Sequence, residues 1–176
     1  MTSDEKKKKK IQKRSQRMIK LFNSIKGKRM GEFQLKMIPG FTKWLNGKML
    51  KAERGHIELE FEVRPEMANP TDLLHGGMQC GMMDDTIGMM SATLGYEGFL
   101  ITIDFHVDYL GKVNVGENVK VIARMVREGR NIVHAISEIY NMDRKLIATG
   151  NSNLLKTTYT PNYVKEVDQK NKQEDN

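Results

Sequence analysis

The stretch that decides the fold is NPTDLLHGGMQCGMMDDTIGMMSATL, residues 69–94. Its second part, from Met78 to Leu94, is predicted to form a helix, and Gly95 directly after it is a typical helix end. Apolar side chains, most of them methionines, recur on almost every face of this segment, which indicates a buried helix. His75-Gly76-Gly77 lies at the mouth of the helix. We therefore expect a long core helix with a glycine-rich entry.

Segments with strand-like alternation lie on both sides of this helix. One strand precedes it, with apolar residues at every second position: Ile57, Leu59, Phe61 and Val63. Another follows it, and we expect its apolar residues to share one core-facing side: Ile101, Ile103, Phe105 and Val107. Three further strands are predicted at 119–127, 132–140 and 146–158. The order predicts an α+β fold in which a strand, the long helix and a meander of four strands bury each other's apolar faces.

Length and composition indicate one domain of ordinary hydrophobicity. The chain has 176 residues, of which 39% are hydrophobic, enough to bury a core. No run of 18 apolar residues is present, so no membrane span is expected. The single cysteine excludes an internal disulfide and fits a reducing compartment, so we expect a cytoplasmic protein.

The net charge of +7 is unevenly distributed. Residues 1–31 hold 12 Lys and Arg against 2 Asp and Glu, which gives +10. The remaining residues hold 17 basic and 20 acidic side chains, which gives −3. The basic character therefore belongs to an N-terminal extension, residues 1–31, and the body is not expected to bind nucleic acid.

The N-terminal extension is expected to be flexible or helical. Its apolar residues recur at helical spacing among lysines and arginines: Ile11, Met18, Phe22 and Ile25. Two interpretations stay open, a weak contact with a membrane surface and an extension whose apolar residues pack on the body. Residues 27–31 are predicted to be a hinge, and residues 161–176 a polar C-terminal tail.

The helix entry and the acids behind it indicate acyl chemistry. A helix mouth presents free N–H groups and partial positive charge, which suit a developing oxyanion, and Gly76 lets a substrate approach the backbone. Asp84, about two turns further along, can activate water or attack a carbonyl. Asn69 can hydrogen-bond a substrate carbonyl. Asp85 points about 100° away from Asp84 and cannot face the same site.

The pattern N-x5-HGG-x6-D, which ends on Asp84 and is followed by a strand at 102–109 that reads TIDFHVDY, resembles the hotdog-fold acyl-CoA thioesterases. The closest branch is the phenylacetate-degradation type, and the resemblance runs from Trp44 to Thr158. It implies an antiparallel sheet wrapped around the central helix, within a domain at 32–160. It also implies hydrolysis of an acyl-CoA to free acid and coenzyme A, with coenzyme A entering as part of the substrate. Members of this family form dimers, commonly paired into tetramers.

The resemblance also assigns candidate roles to side chains. Asp84 matches the catalytic carboxylate of the family, and Thr102 matches a Ser or Thr that holds the carboxylate or the lytic water. His75 could act in acid–base chemistry or cap the helix start. Gly77 is a candidate for substrate binding. At the turn 128–131, the dipeptide Gly129-Arg130 could contact coenzyme A phosphates or be an ordinary exposed turn.

The spacing of Gly76 and Asp84 favours a site shared between two chains. Eight residues separate them, which is about 12 Å along a helix. Both groups must reach one carbonyl within about 3–3.5 Å. Two antiparallel helices across a two-fold axis meet this condition, with Asn69 and Gly76 from one subunit and Asp84 from the other.

Two other functions stay open from the sequence. A hotdog-fold enoyl-CoA hydratase or dehydratase would carry a His five residues after the Asp, where this chain has Met89. A non-catalytic acyl-CoA-binding regulator would bind acyl-CoA without turnover. The four histidines, at 56, 75, 106 and 134, show no metal-binding spacing, so no metal is expected.

Overall fold

The computed structural model describes residues 2–33, 38–162 and 164–165. Three helices and six strands are present in these residues. The helices are α1 (Ser3–Ser24), α2 (Gly40–Leu45) and α3 (Gly76–Ala92). The strands are β1 (Lys48–Glu53), β2 (His56–Glu62), β3 (Leu100–Tyr109), β4 (Asn118–Glu128), β5 (Ile132–Asn141) and β6 (Leu146–Lys156). None of the described helices is long and apolar enough to cross a membrane.

The strands form one antiparallel sheet in the order β1-β2-β4-β5-β6-β3, and α3 packs against it. The helix contributes fully buried side chains to the core: Met82, Met83, Ile87 and Met90. Leu94, two residues beyond its end, is fully buried as well. The apolar residues of β2 and β4 meet them from the sheet, among them Ile57, Leu59, Phe61, Val119 and Val121. The prediction of an α+β fold with one long central helix is confirmed.

Two features of the sheet differ from the prediction. β1 was not predicted, because lysines at positions 48 and 51 and a bulge between Met49 and Lys51 conceal its alternation. The prediction that four consecutive strands form a meander is also wrong. Only β4, β5 and β6 pair in that order, and β3 pairs with β6 at the sheet edge. An alternating pattern identifies a strand but not its neighbour.

A bulge in β3 reverses the predicted orientation of its first isoleucines. The register with β6 shifts between Thr102 and Asp104. An inserted residue moves the side chains that follow to the other face. Ile101 and Ile103 are consequently 45% and 54% exposed, whereas Phe105 and Val107 still pack against the core.

Helix α1 packs on the body, the second of the two interpretations that the sequence left open. The side chains of Met18 on this helix and of Ile25 at its C-terminal end are buried. The Ser15 hydroxyl donates a buried hydrogen bond to the Thr93 carbonyl at 2.6 Å. The helix also passes close to Gly95, where a Cβ would lie 2.2 Å from the Ile11 carbonyl oxygen.

The predicted hinge at 27–31 is wrong. The Gly27 N–H donates to the Met49 carbonyl at 2.8 Å, and the Met30 N–H donates to the Gly47 carbonyl at 2.9 Å. Met30 is buried in the core. The segment is therefore fixed to β1 and the residues before it. Of the predicted C-terminal tail, residues 163 and 166–176 lie outside the described residues, and Val164 is buried.

Candidate active site

The entry of α3 is organised by a histidine cap. The Gly77 N–H donates to His75 Nδ1 at 2.9 Å, so the capping hydrogen bond proposed for His75 is present and the Gly77 N–H is occupied. Gly76 begins the helix, and no hydrogen bond within the described chain uses its N–H. That N–H belongs to the first helical turn, whose donors lack intrahelical acceptors. It is therefore available to a developing oxyanion.

A tyrosine that sequence reasoning missed packs against this entry. The Tyr109 hydroxyl donates to the Gly76 carbonyl at 3.1 Å. A Cβ on Gly76 would lie 3.2 Å from the Tyr109 ring. The absence of a side chain at Gly76 thus allows β3 to close against the start of α3. No sequence signal pairs these residues, because they are 33 positions apart.

Asn69 lies in a tight turn before the helix. Its Oδ1 accepts hydrogen bonds from the Thr71 N–H at 2.9 Å, the Thr71 hydroxyl at 2.7 Å and the Leu73 N–H at 3.2 Å. Such bonds are typical of an Asx turn. None of the hydrogen bonds among the described residues uses the Nδ2 amide. That amide is the donor that a substrate carbonyl would require.

The structure brings Asp84 and Thr102 together. The Thr102 hydroxyl donates to Asp84 Oδ1 at 3.1 Å, across the gap between α3 and β3. Both side chains are exposed in the single chain. The expectation that α3 is buried on almost every face is therefore wrong at Asp84. The bulge in β3 directs Thr102 towards α3.

Asp85, which the sequence left without a role, has the more unusual environment. Thr42, itself buried, donates from its hydroxyl to Asp85 Oδ1 at 2.6 Å. The buried Oδ2 has no hydrogen-bond partner among the described residues. Burial, together with the neighbouring charge of Asp84, raises the pKa of the Asp85 carboxyl from 3.8 to about 6, against the opposing effect of the Thr42 hydrogen bond.

A cavity of about 330 Å³ adjoins this pair of acids. Asp84, Asp85 and Thr102 line it together with apolar residues of α1, so the expectation that Asp85 cannot face the same site as Asp84 is wrong. The sequence did not predict that the N-terminal segment contributes to the site, since its apolar face is narrow and surrounded by basic residues.

The turn at Gly129-Arg130 lies at the tip of the β4–β5 hairpin. The Gly129 N–H donates to the Ile132 carbonyl at 2.9 Å, and the Gly129 carbonyl accepts from Lys156 Nζ at 2.7 Å. Arg130 is exposed. None of the described hydrogen bonds joins this tip to Asp84 or Thr102. Over the described ranges, no three His, Cys, Asp or Glu side chains are grouped as a metal site would require.

Comparison with known proteins gives a consistent result. Residues 72–148 match the family model of the thioesterase superfamily. Acyl-coenzyme A thioesterase 13 of Mus musculus is 26% identical over 117 residues, which cover 64% of this chain and 82% of the mouse protein. A putative esterase of Sulfurisphaera tokodaii is 28% identical over 109 residues, or 62% of this chain and 80% of the relative.

Solved structures share the fold. A Streptococcus mutans protein bound to acetyl CoA superimposes with a TM-score of 0.65 at 22% identity, covering 73% of this chain and all of the other. A mutant of the phenylacetic acid degradation protein PaaI from Thermus thermophilus gives a TM-score of 0.63 at 22% identity, covering 68% of this chain and all of PaaI. The fold is thus the hotdog fold. The chain is similar to the thioesterase superfamily over residues 72–148, and the predicted resemblance to this family is confirmed.

Proposed function

We propose that this protein hydrolyses an acyl-CoA thioester to a free acid and coenzyme A. The observation that carries the proposal is the hydrogen bond between Asp84 of α3 and Thr102 of β3. The entry of the same helix leaves the Gly76 N–H free. The thioester carbonyl accepts a hydrogen bond from the Gly76 N–H, and Asn69 Nδ2 orients it. Asp84 takes a proton from water, whose oxygen attacks the carbonyl carbon, and the C–S bond breaks to release coenzyme A. Alternatively, Asp84 itself attacks the carbonyl and expels the coenzyme A thiolate, and water then cleaves the resulting anhydride to the free acid and the Asp84 carboxylate. The Thr102 hydroxyl holds the carboxylate in position.

The site is completed by a second copy of the chain. Gly76 and Asp84 are separated by about 12 Å along α3, too far for both to reach one carbonyl. The exposed Ile101 and Ile103 flank Thr102 on the edge strand β3, where a partner would cover them. This arrangement supports a homodimer with Asp84 from one subunit and Gly76 and Asn69 from its partner. Dimers then pair into tetramers, as the family resemblance implies.

The remaining contacts concern coenzyme A and the surroundings of the protein. Arg130, exposed at its hairpin tip, contacts the coenzyme A phosphates, and Gly129 allows their approach. The substrate supplies coenzyme A, and no further cofactor takes part. The protein works in the cytoplasm, as its single cysteine suggests. The exposed lysines of α1 give a weak, salt-sensitive contact with anionic membrane surfaces.

The experiment that tests this function is a hydrolysis panel with free thiol release as readout. Acyl-CoAs from acetyl to palmitoyl, together with aromatic acyl-CoAs, are offered to the wild type, Asp84→Asn and the matched variant Asp85→Asn. We expect Asp84→Asn to lose about 10² to 10⁴ in rate, because the amide cannot act as base or nucleophile. Asp85→Asn should lose far less. Tight acyl-CoA binding by the wild type without turnover would instead support a non-catalytic acyl-CoA-binding regulator, and water addition to an enoyl-CoA would support a hydratase.

A further inference from the structure

The cavity beside Asp84 has two helical walls whose residues repeat with the helix period. On α3 the wall consists of Asp84, Gly88 and Ala92, which lie four residues apart and therefore on one face. On α1 the wall consists of Met18, Leu21 and Phe22, and the C-cap residue Ile25 continues their spacing of i, i+3, i+4 and i+7. From Asp84 to Ala92 the α3 wall is about 12 Å long. The side chains on it become small immediately beyond the proposed catalytic carboxylate.

The size and the lining of the cavity fit a hydrocarbon chain. Apart from the acids and threonines near Asp84, the described lining is predominantly apolar. A cavity of about 150 Å³ accommodates a benzene ring. By that measure the 330 Å³ here offers room for roughly a dozen carbon atoms. A thioester carbonyl held at Asp84 would leave its acyl chain to extend past Gly88 between the two helices.

The α1 wall is fixed rather than loosely attached. The buried bond from Ser15 to the Thr93 carbonyl anchors its middle. Asn23 Nδ2 donates to the Ala52 carbonyl at 3.0 Å and anchors its end. Met18 and Ile25, which line the cavity, are only 5% and 6% exposed. The wall can therefore discriminate between chains of different length.

Gly88 is the position from which the cavity can be filled. No atom of the described residues outside its own helical neighbourhood lies within 4 Å of a Cβ built there. A larger side chain at this position meets no obstacle in the backbone and also suits a helix better than glycine. We propose that the cavity binds a medium-chain acyl group of about 8–12 carbons, that α1 forms its outer wall, and that Gly88 sets the chain length. This proposal rests on the proposed thioesterase function.

The test compares the turnover of a short and a long acyl-CoA in variants of each of the two cavity walls. Butyryl-CoA and dodecanoyl-CoA are assayed by thiol release, and the Kd of dodecanoyl-CoA is measured by calorimetry. The variants are Gly88→Ala, Gly88→Leu and Leu21→Trp, with Gln16→Trp as the control on the exposed side of α1. Displacing one buried methylene should cost about fourfold in kcat/KM. Gly88→Leu, which displaces about three, should lose roughly 60-fold with dodecanoyl-CoA.

In the cavity variants butyryl-CoA turnover should fall far less than dodecanoyl-CoA turnover, and Gly88→Ala should fall between wild type and Gly88→Leu with dodecanoyl-CoA. Leu21→Trp should reproduce the selective loss and Gln16→Trp should not. Equal losses on both substrates, or none, would overturn the cavity assignment while leaving the thioesterase function standing. A selective loss in Gly88→Leu without one in Leu21→Trp would overturn the role of α1. If the wild type binds dodecanoyl-CoA without hydrolysing it, the proposed function fails. The cavity assignment is then decided by whether Gly88→Leu weakens the Kd.

Discussion

Replacing Asp85 by asparagine should stabilise the protein at neutral and alkaline pH. Burial raises the pKa of this carboxyl from 3.8 to about 6 in the folded chain. A folded-state pKa above the unfolded value means that folding opposes ionisation. The destabilisation is therefore absent below pH 3.8, grows as the pH rises, and is complete above about 6. A pKa change of one corresponds to about 1.4 kcal/mol, so the full effect is about 3 kcal/mol.

Asparagine keeps the carbonyl oxygen that accepts from Thr42 and cannot ionise. For a chain of 176 residues, about 3 kcal/mol corresponds to a rise in Tm of about 6–12 °C. The assay is thermal unfolding of wild type and Asp85→Asn at pH 4 and pH 8. The stabilisation should appear at pH 8 and largely vanish at pH 4.

The matched control is Asp84→Asn, since the neighbouring carboxylate is exposed and its replacement should change stability by less than about 0.5 kcal/mol at either pH. Equal Tm differences for Asp85→Asn at the two pH values would refute the argument, because they would mean that the buried carboxyl does not titrate in this window. A fall in Tm at pH 8 would refute it as well.

Three further outcomes are expected. Co-refolding inactive Asp84→Asn with inactive Asn69→Ala chains should restore about a quarter of wild-type activity, because half the dimers formed at random are mixed and each of those holds one intact site. An absence of recovery, with mixed dimers verified by mass spectrometry, would place the site within one chain. Thr102→Val should lower kcat about tenfold with little change in KM, since one hydrogen bond to a carboxylate is worth about 1.5 kcal/mol or more; an unchanged kcat would remove Thr102 from the mechanism. Gly95→Ala should destabilise the protein by about 2 kcal/mol or more, because φ is +79° there and the new Cβ would strike α1; denaturant unfolding measures this, and an unchanged midpoint would show that α1 is not packed as described.

The long helix and most strands could be predicted because their patterns are local. The all-round apolar segment from Met78 to Leu94 can only be a core helix, and the structure gives α3 as Gly76–Ala92. The pairing of β3 with β6 could not be predicted, since alternation carries no information about neighbours. The bulge at Ile103 was equally hidden, because Ile101 and Ile103 resemble core residues in the sequence.

The candidate site divides in the same way. The spacing of Gly76 and Asp84 follows from a single helix, so the sequence was sufficient to place both. The contact of Thr42 with Asp85 joins residues 43 positions apart, and only the tertiary fold creates it. The contribution of α1 to the cavity was missed for a different reason. Its basic residues dominate the composition, while only a narrow apolar face determines where it packs.

The single extra residue in β3, Ile103, determines which face of this strand carries Thr102. Side-chain chemistry alone does not determine that face. Thr102, which precedes the bulge, donates a hydrogen bond to Asp84, and Ile101 and Ile103 are exposed. After the bulge, Phe105 and Val107 pack against the core. Removing Ile103 would restore simple alternation. With Phe105 and Val107 kept in the core, Thr102 would then still face α3 and Ile101 would still point outward. If Ile103 were instead kept in unbroken alternation, Ile101 and Ile103 would turn inward and Thr102 outward, so the bulge is what keeps the proposed catalytic surface on the side of α3.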